Sequence, residues 1–248
     1  VTATSRAGGR KRSSVRRWIP PQHGVWAMLL LPYLAGLQFG AVWLHVPLLV
    51  VWLAGWLASY YALLALKTLR VRAVWRQVAV YGAVSAVAAL PLFVVRPELL
   101  WFSPVFAVLL VVNAVSTLVG QERATGNGLA SVSMASLMAM IAPSTAGLDW
   151  TLGISVAIAC WLYLAGTVFY VKTMIRERGS TLHYAFSVAF HVIALVGAIV
   201  LNLWLALPFG WFLVRAMALP RRRLKVPVVG AIEVAGSAVL LGFLLALF

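Results

Sequence analysis

The sequence predicts an all-α, polytopic membrane bundle of nine transmembrane helices, and three observations predict it. The chain is 63% apolar and 10% charged, with a mean hydropathy of +0.99, against roughly 25% charged residues in a soluble domain. Its apolar residues fall into nine stretches of span length, a bilayer core needing about 20 residues per helix. Its 20 Lys and Arg, against 5 Asp and Glu for a net charge of +15, gather in alternate connections. That is the positive-inside pattern of a membrane protein and not the continuous basic surface of a nucleic-acid binder. In 248 residues these spans leave no room for a separate soluble domain.

The elements follow in order. Residues 1–18, VTATSRAGGRKRSSVRRW, are small, polar and basic and predict a disordered cytoplasmic tail; residues 19–248 form the transmembrane domain. The spans are 24–43, 46–66, 77–95, 99–119, 128–147, 150–171, 182–202, 203–219 and 227–247. Pro20 and Pro21 stop one helix and prepare the next, with Trp18 and Trp26 as interfacial anchors. The first span exceeds a signal-peptide core of about 7–15 residues and lacks an A-x-A exit, so it is expected to be retained. The third (AVYGAVSAVAAL) and fifth (GLASVSMASLMAM) are rich in small residues and suit the bundle interior. The last two, bulkier in Trp, Phe and Leu, suit the lipid face. Residues 182–219 are too long for one crossing, and Asn202 and Pro208 divide them. The single cysteine, Cys160, lies in an apolar run and has no partner for an internal disulfide.

With the N-terminus inside, the inner segments are the tail, 67–76, 120–127, 172–181 and 220–226. Counting Arg215, close enough to its helix end to snorkel, they hold every Lys and Arg except Arg96. The C-terminus then lies outside, and the localisation is a bacterial inner membrane. The inner segments are the longer ones and carry most of the polar chemistry, so a functional site opens to the cytoplasm.

Ionisable groups within spans are costly and are candidates for function. Glu233 lies about 9 Å into the last helix at 1.5 Å per residue; it needs a partner, Arg215 or a basic loop residue, or faces a polar cavity. Asn113 lies at similar depth in the fourth span and bonds a neighbouring helix or lines a site. His191 is a packed histidine or a ligand; Tyr60, Tyr61, Tyr163 and Tyr170 are belt anchors or site residues. Gln22 and His23 stand at a helix start, where free N–H groups and the dipole favour an anion. Lys67, Arg70, Lys172 and Arg176, with Glu177 nearby, record topology and attract anionic lipids.

Two resemblances bear on these residues. The opening W-I-P-P-Q-H-G-V-W-A-M-L-L-L-P, with Y-V-K-T-M-I-R-E-R-G near helix six and the final basic loop before Glu233, resembles the YwiC-like family of bacterial membrane proteins. That family has no established activity. Nine helices with an inner N-terminus are also similar to the UbiA-type prenyltransferases, whose loops after helices two and six carry aspartates that hold Mg²⁺ and a prenyl diphosphate. On that register Tyr60, Leu63 and Lys67 occupy the first set of positions and Tyr170, Thr173 and Glu177 the second. Five of the six carboxylates are absent, so no Mg²⁺ or other cofactor is assigned. The resemblance implies a site stripped of carboxylates and lined by Lys67, Arg70, Lys172 and Arg176 that holds an anion without metal: an isoprenoid (di)phosphate, another anionic lipid or a quinone-like ligand. If the chain is an enzyme, it is a divergent prenyltransferase or lipid-modifying enzyme. A solute or lipid transporter and a non-catalytic partner subunit are the alternatives.

Overall fold

The computed structural model describes residues 18–20, 23–220, 222 and 224–248, and every regular element in them is helical. The helices are α1 (His23–Gly36), α2 (His45–Thr68), α3 (Val71–Val95), α4 (Ser103–Leu118), α5 (Thr125–Ser136), α6 (Met138–Thr145), α7 (Ile154–Ile175), α8 (Thr181–Leu201), α9 (Ala206–Ala218) and α10 (Val226–Leu247). Helices α5 and α6 make one span, Thr125–Thr145, broken at Leu137. Among the described residues seven helices are long and apolar enough to cross a membrane, and Gly24–Phe39 and Leu203–Ala218 are shorter apolar helices. These nine elements occupy the nine expected stretches.

Two boundaries carry information. Asn202 leaves the helix in an extended conformation, its side chain accepting from the Trp204 amide at 3.0 Å, so residues 182–219 do form two helices. At the other boundary the expectation fails. The third helix begins at Val71, not at residue 77, and only Leu69 and Arg70 separate it from α2. Leu69 turns the chain with φ 54° and ψ 22°, the left-handed conformation that ends a helix. Arg72 and Arg76 thus lie on the first turns of α3. Arginine is a good helix former, and its stem can follow the helix while its head reaches water.

Helix α7 is the axis of the bundle and packs against α1, α5, α6, α8 and α10. Val156, Ala159, Cys160, Tyr163 and Leu164 of α7 join Leu31, Val132, Ala139, Ala194, Phe212 and Leu240 in the main core. Small residues set the spacing. A Cβ on Gly153 would lie 2.1 Å from the Ala139 carbonyl, and one on Gly36 would lie 2.8 Å from the Ala142 Cβ. Helix α5 is accordingly interior, as its composition predicts. Helix α3 is not: it packs chiefly on α2, and Leu92 is its only buried residue among those described. Its alanines allow close approach to α2, where the Ser85 hydroxyl donates to the Val51 carbonyl at 3.3 Å, and among the described residues much of its far side is exposed, Val80, Val84, Val87 and Val94 included. The expectation for α9 and α10 also needs correcting. They expose Leu207, Trp211 and Val234 yet bury Phe209, Phe212, Arg215, Glu233, Leu240 and Leu244.

The two ends of the bundle differ. Lys67, Glu122, Lys172 and Arg178 mark a basic end. At the far end the Tyr33 hydroxyl donates to the His45 carbonyl at 2.8 Å, and the His45 ring lies 2.9 Å from the Ala142 carbonyl, tying α1, α2 and α6.

Candidate functional site

The basic residues around the α2–α3 turn make two kinds of contact. Lys67, in the last turn of α2, forms an ion pair with Glu122 of the α4–α5 connection. The Lys67 ammonium holds the Glu122 carboxyl below the usual carboxylate range, helped by a backbone hydrogen bond. Arg70 is exposed at the turn. Arg72 and Arg76 share one face of α3 at i, i+4 and line a pocket of about 300 Å³ with Trp18, Ala73, Trp75 and Gln77. The Arg76 guanidinium lies 5.8 Å from the centre of the Trp75 ring. The Tyr81 hydroxyl donates to the Trp18 carbonyl at 2.8 Å and the two rings meet edge to face at 5.8 Å, so Trp18 forms a fixed wall.

From that wall a ladder of six aromatic rings runs across α1–α3. Trp18 meets Tyr81, which stacks on Tyr61 at 6.1 Å with an interplanar angle of 10°. Tyr61 meets Tyr60 at 5.1 Å, Tyr60 stacks on Trp56 at 5.8 Å, and Trp56 meets Trp26 of α1 at 5.9 Å. Of the sequence candidates, Tyr60 belongs to this ladder. Gln22 lies outside the described residues. His23 is the first residue of α1.

A second polar group runs along α5. The Lys172 ammonium donates to the Thr125 hydroxyl at 2.8 Å, and the Asn127 amide donates to the Glu122 carbonyl at 2.8 Å. The Ser131 hydroxyl lies 3.1 Å from the Asn127 carbonyl and 3.2 Å from Asn113 Oδ1. Asn113 therefore joins α4 to α5. Lys67 and Lys172 do approach the same connection, one through Glu122 and the other through Thr125.

The third group is sealed among α7–α10. Arg215 Nη1 donates to Glu233 Oε1 at 2.7 Å, the two side chains being 1% and 11% exposed. Tyr170 is completely buried with its ring 4.5 Å from the Arg215 guanidinium. The Tyr163 hydroxyl donates to the Glu233 carbonyl at 2.9 Å. His191 packs over Gly166 with Nδ1 2.7 Å from the Ser187 carbonyl. Near the end of α7, Arg176 is exposed and Glu177 lies 3.7 Å from His183.

The two registered sets of positions thus serve different contacts: Tyr60 and Lys67 go to the ladder and to Glu122, Tyr170 to Arg215, and Glu177 to His183. Among the described residues no three His, Cys, Asp or Glu are placed to hold a metal ion. The candidates missing from the sequence reading are Arg72, Trp75, Arg76 and Tyr81. The i, i+4 spacing of the arginines was visible; the ring contacts join residues up to 63 positions apart.

The family described as YwiC-like protein matches residues 19–143, a range that holds the ladder from Trp26 to Tyr81. An uncharacterized protein of Haemophilus influenzae is 33% identical over 226 residues, 89% of this chain and 94% of the relative. The uncharacterized protein YwiC of Bacillus subtilis is 30% identical over 231 residues, 88% of this chain and 93% of the relative. No solved structure matches, so the likeness to UbiA-type prenyltransferases rests on helix count and loop register alone. The chain is a multi-pass membrane protein with bacterial relatives, and it belongs to the YwiC-like family.

Proposed function

We propose that this protein binds an amphiphile with an anionic head, such as an isoprenoid phosphate, another anionic lipid or an acidic quinone-like molecule, at the basic end of α1–α3. The pocket lined by Trp18, Arg72, Trp75 and Arg76 carries the reading. Guanidinium groups bond phosphate and carboxylate oxygens in pairs, and indole rings suit the boundary between head groups and hydrocarbon. A tail bound there has two apolar surfaces to follow: the aromatic ladder, and the exposed Val80, Val84 and Val87 of α3. The pocket lining holds no carboxylate, and the reading is one of binding rather than catalysis. Its side of the membrane is the cytoplasmic one if the basic end obeys the positive-inside rule.

Mass spectrometry of the lipids that co-purify with the protein tests this. The wild type is expected to carry an anionic amphiphile enriched over the membrane from which it came, and an Arg72→Gln/Arg76→Gln variant is expected to lose that enrichment. Bulk phospholipid in the proportions of the membrane, in both proteins, overturns the reading.

A second reading, carriage of a polar solute through the bundle, is favoured by the Arg215–Glu233 pair buried among α7–α10. Liposome flux that requires both residues is its test.

A further inference from the structure

The Arg215–Glu233 group is unusual for what it leaves unbonded. The pair is made end-on, through Arg215 Nη1 and Glu233 Oε1 at 2.7 Å. The other edge of the same guanidinium, Nε and Nη2, is buried without a hydrogen-bond partner, as are Glu233 Oε2 and the Tyr170 hydroxyl. Nearby bonds do not use them. The Ser237 hydroxyl lies 2.9 Å from the Glu233 carbonyl and 3.3 Å from Tyr163 Oη, and the Tyr163 hydroxyl donates to that same carbonyl. Buried polar groups are bonded in the great majority of cases, and in a membrane interior each orphan is costly. Several on one buried pair mark a site for a partner.

The chemistry of the free edge identifies that partner. Nε–H and Nη2–H are parallel donors with the spacing of two oxygens on one carboxylate or phosphate. The guanidinium lies 4.5 Å from the Tyr170 ring and 5.3 Å from that of Phe212, which fixes the edge in place. We infer that the free edge of Arg215 binds a carboxylate or phosphate oxyanion inside α7–α10, at a site separate from the pocket on α3. An anion added to a neutral ion pair leaves a net negative charge in a medium where isolated charge is expensive. Binding therefore takes up one proton from solvent, which Glu233 Oε2 accepts, so that a neutral carboxyl, a guanidinium and a monoanion remain. The ionisable groups around Glu233 are Arg215 from α9 and Tyr163 and Tyr170 from α7, and His191 of α8 lies on the Arg215 side of the pair. Helix α1 also packs on α10, but its Tyr33 is bound to His45 at the far end. Toward the basic end the group is covered by Met174, Ala216 and Val229. Arg178, bonded to the carbonyls of Met174 at 2.7 Å and Leu224 at 3.2 Å, ties that cover shut. Exchange by that route requires the tie to open.

The test uses the whole protein in phosphatidylcholine nanodiscs, titrated with inorganic phosphate, with benzoate, and with phosphatidic acid incorporated in the disc. The readouts are the unfolding midpoint and proton uptake in weak buffer. The wild type is expected to bind at least one probe saturably, more tightly at acid than at alkaline pH, with uptake of a proton. A response to phosphate or benzoate identifies a free solute, and a response to phosphatidic acid alone identifies a lipid head group; either supports the site when it persists in Arg72→Gln/Arg76→Gln and is lost in Arg215→Met/Glu233→Met. Arg215→Lys keeps the charge but loses the fork and is expected to weaken binding by about tenfold or more. Glu233→Gln is expected to abolish proton uptake. Arg215→Met/Glu233→Met removes the pair together and is expected to fold without binding. Arg72→Gln/Arg76→Gln is expected to leave this response intact, which separates its fate from that of the amphiphile pocket. No saturable response in the wild type, or equal responses in the wild type and Arg215→Lys, overturns the inference.

Discussion

The basic end of α1–α3 and the interior of α7–α10 both place arginine beside aromatic rings, in opposite media. Arg72 and Arg76 are exposed, and Arg76 lies over a Trp75 ring that is itself 53% exposed. Arg215 is 2% exposed and enclosed by Tyr170, Phe212 and Tyr163. At the first site water and lipid head groups can solvate the charge, so removing it disturbs little else. At the second, the charge is tolerated only with Glu233 beside it, so removing one partner leaves the other stranded. Charge at the surface is therefore free to serve binding, and charge in the interior is bound up with folding. The two regions can be probed separately.

The largest expected effect tests the interior. Arg215→Met alone is expected to destabilise the protein by about 3–5 kcal/mol, the cost of breaking a buried pair. Adding Glu233→Met is expected to recover most of that loss, because the apolar pair carries no stranded charge. Unfolding midpoints of the two single variants and the double variant, in one lipid, check this.

Packing gives the next effect. Gly153→Ala drives a methyl against the Ala139 backbone, where its Cβ would sit 2.1 Å from the carbonyl, and is expected to cost about 1–3 kcal/mol as overpacking does. Gly82→Ala in α3, where a Cβ meets nothing within 4 Å, is expected to be neutral or slightly stabilising. Thermal unfolding of both variants sharpens the contrast between the dense axis at α7 and the loosely covered α3.

Arg72→Gln/Arg76→Gln is expected to leave stability unchanged while lowering affinity for anionic amphiphiles by about tenfold or more, corresponding to at least 1.4 kcal/mol of binding. Binding isotherms measured beside unfolding curves separate these two quantities.

The smallest effect belongs to Lys67. Its pair with Glu122 is solvent-accessible, with side chains 48% and 25% exposed, and exposed pairs contribute little. Lys67→Ala is expected to lower the midpoint only slightly at neutral pH, where the pair's small contribution is in place, and to leave it unmoved at acid pH. Glu122 titrates lower in the folded chain than in the unfolded one. Its contribution is thus present above the unfolded value and is lost as pH falls through the folded one. The variant is expected to flatten that part of the stability–pH curve.

The distribution of legible and hidden features follows from range. Nine helical stretches and the break at Asn202 are written in local hydropathy and chain length. The partnership of Glu233 with Arg215 is readable because few charges lie within the apolar stretches. The start of α3 was hidden because arginines at a helix end look like loop residues, although they propagate a helix well. The end of Lys67 in Glu122 had one signal, the lone acidic residue in the 120–127 connection. The ladder had none, since the stacking of Tyr61 on Tyr81 depends on how α2 and α3 close, and the edge-to-face contact of Trp18 with Tyr81 joins residues far apart in the chain. The outward face of α3 was also hidden: small residues indicate close approach to a neighbour, and α2 alone satisfies that.

The most direct measurement of the central claim compares farnesyl phosphate with farnesol, two ligands with the same tail, on the wild type and on Arg72→Gln/Arg76→Gln in phosphatidylcholine nanodiscs. Preferential binding of the phosphate by the wild type, lost in the variant while weak binding of the alcohol persists, is the result predicted. Equal affinity for both ligands, or a preference for the phosphate that survives loss of both arginines, contradicts it.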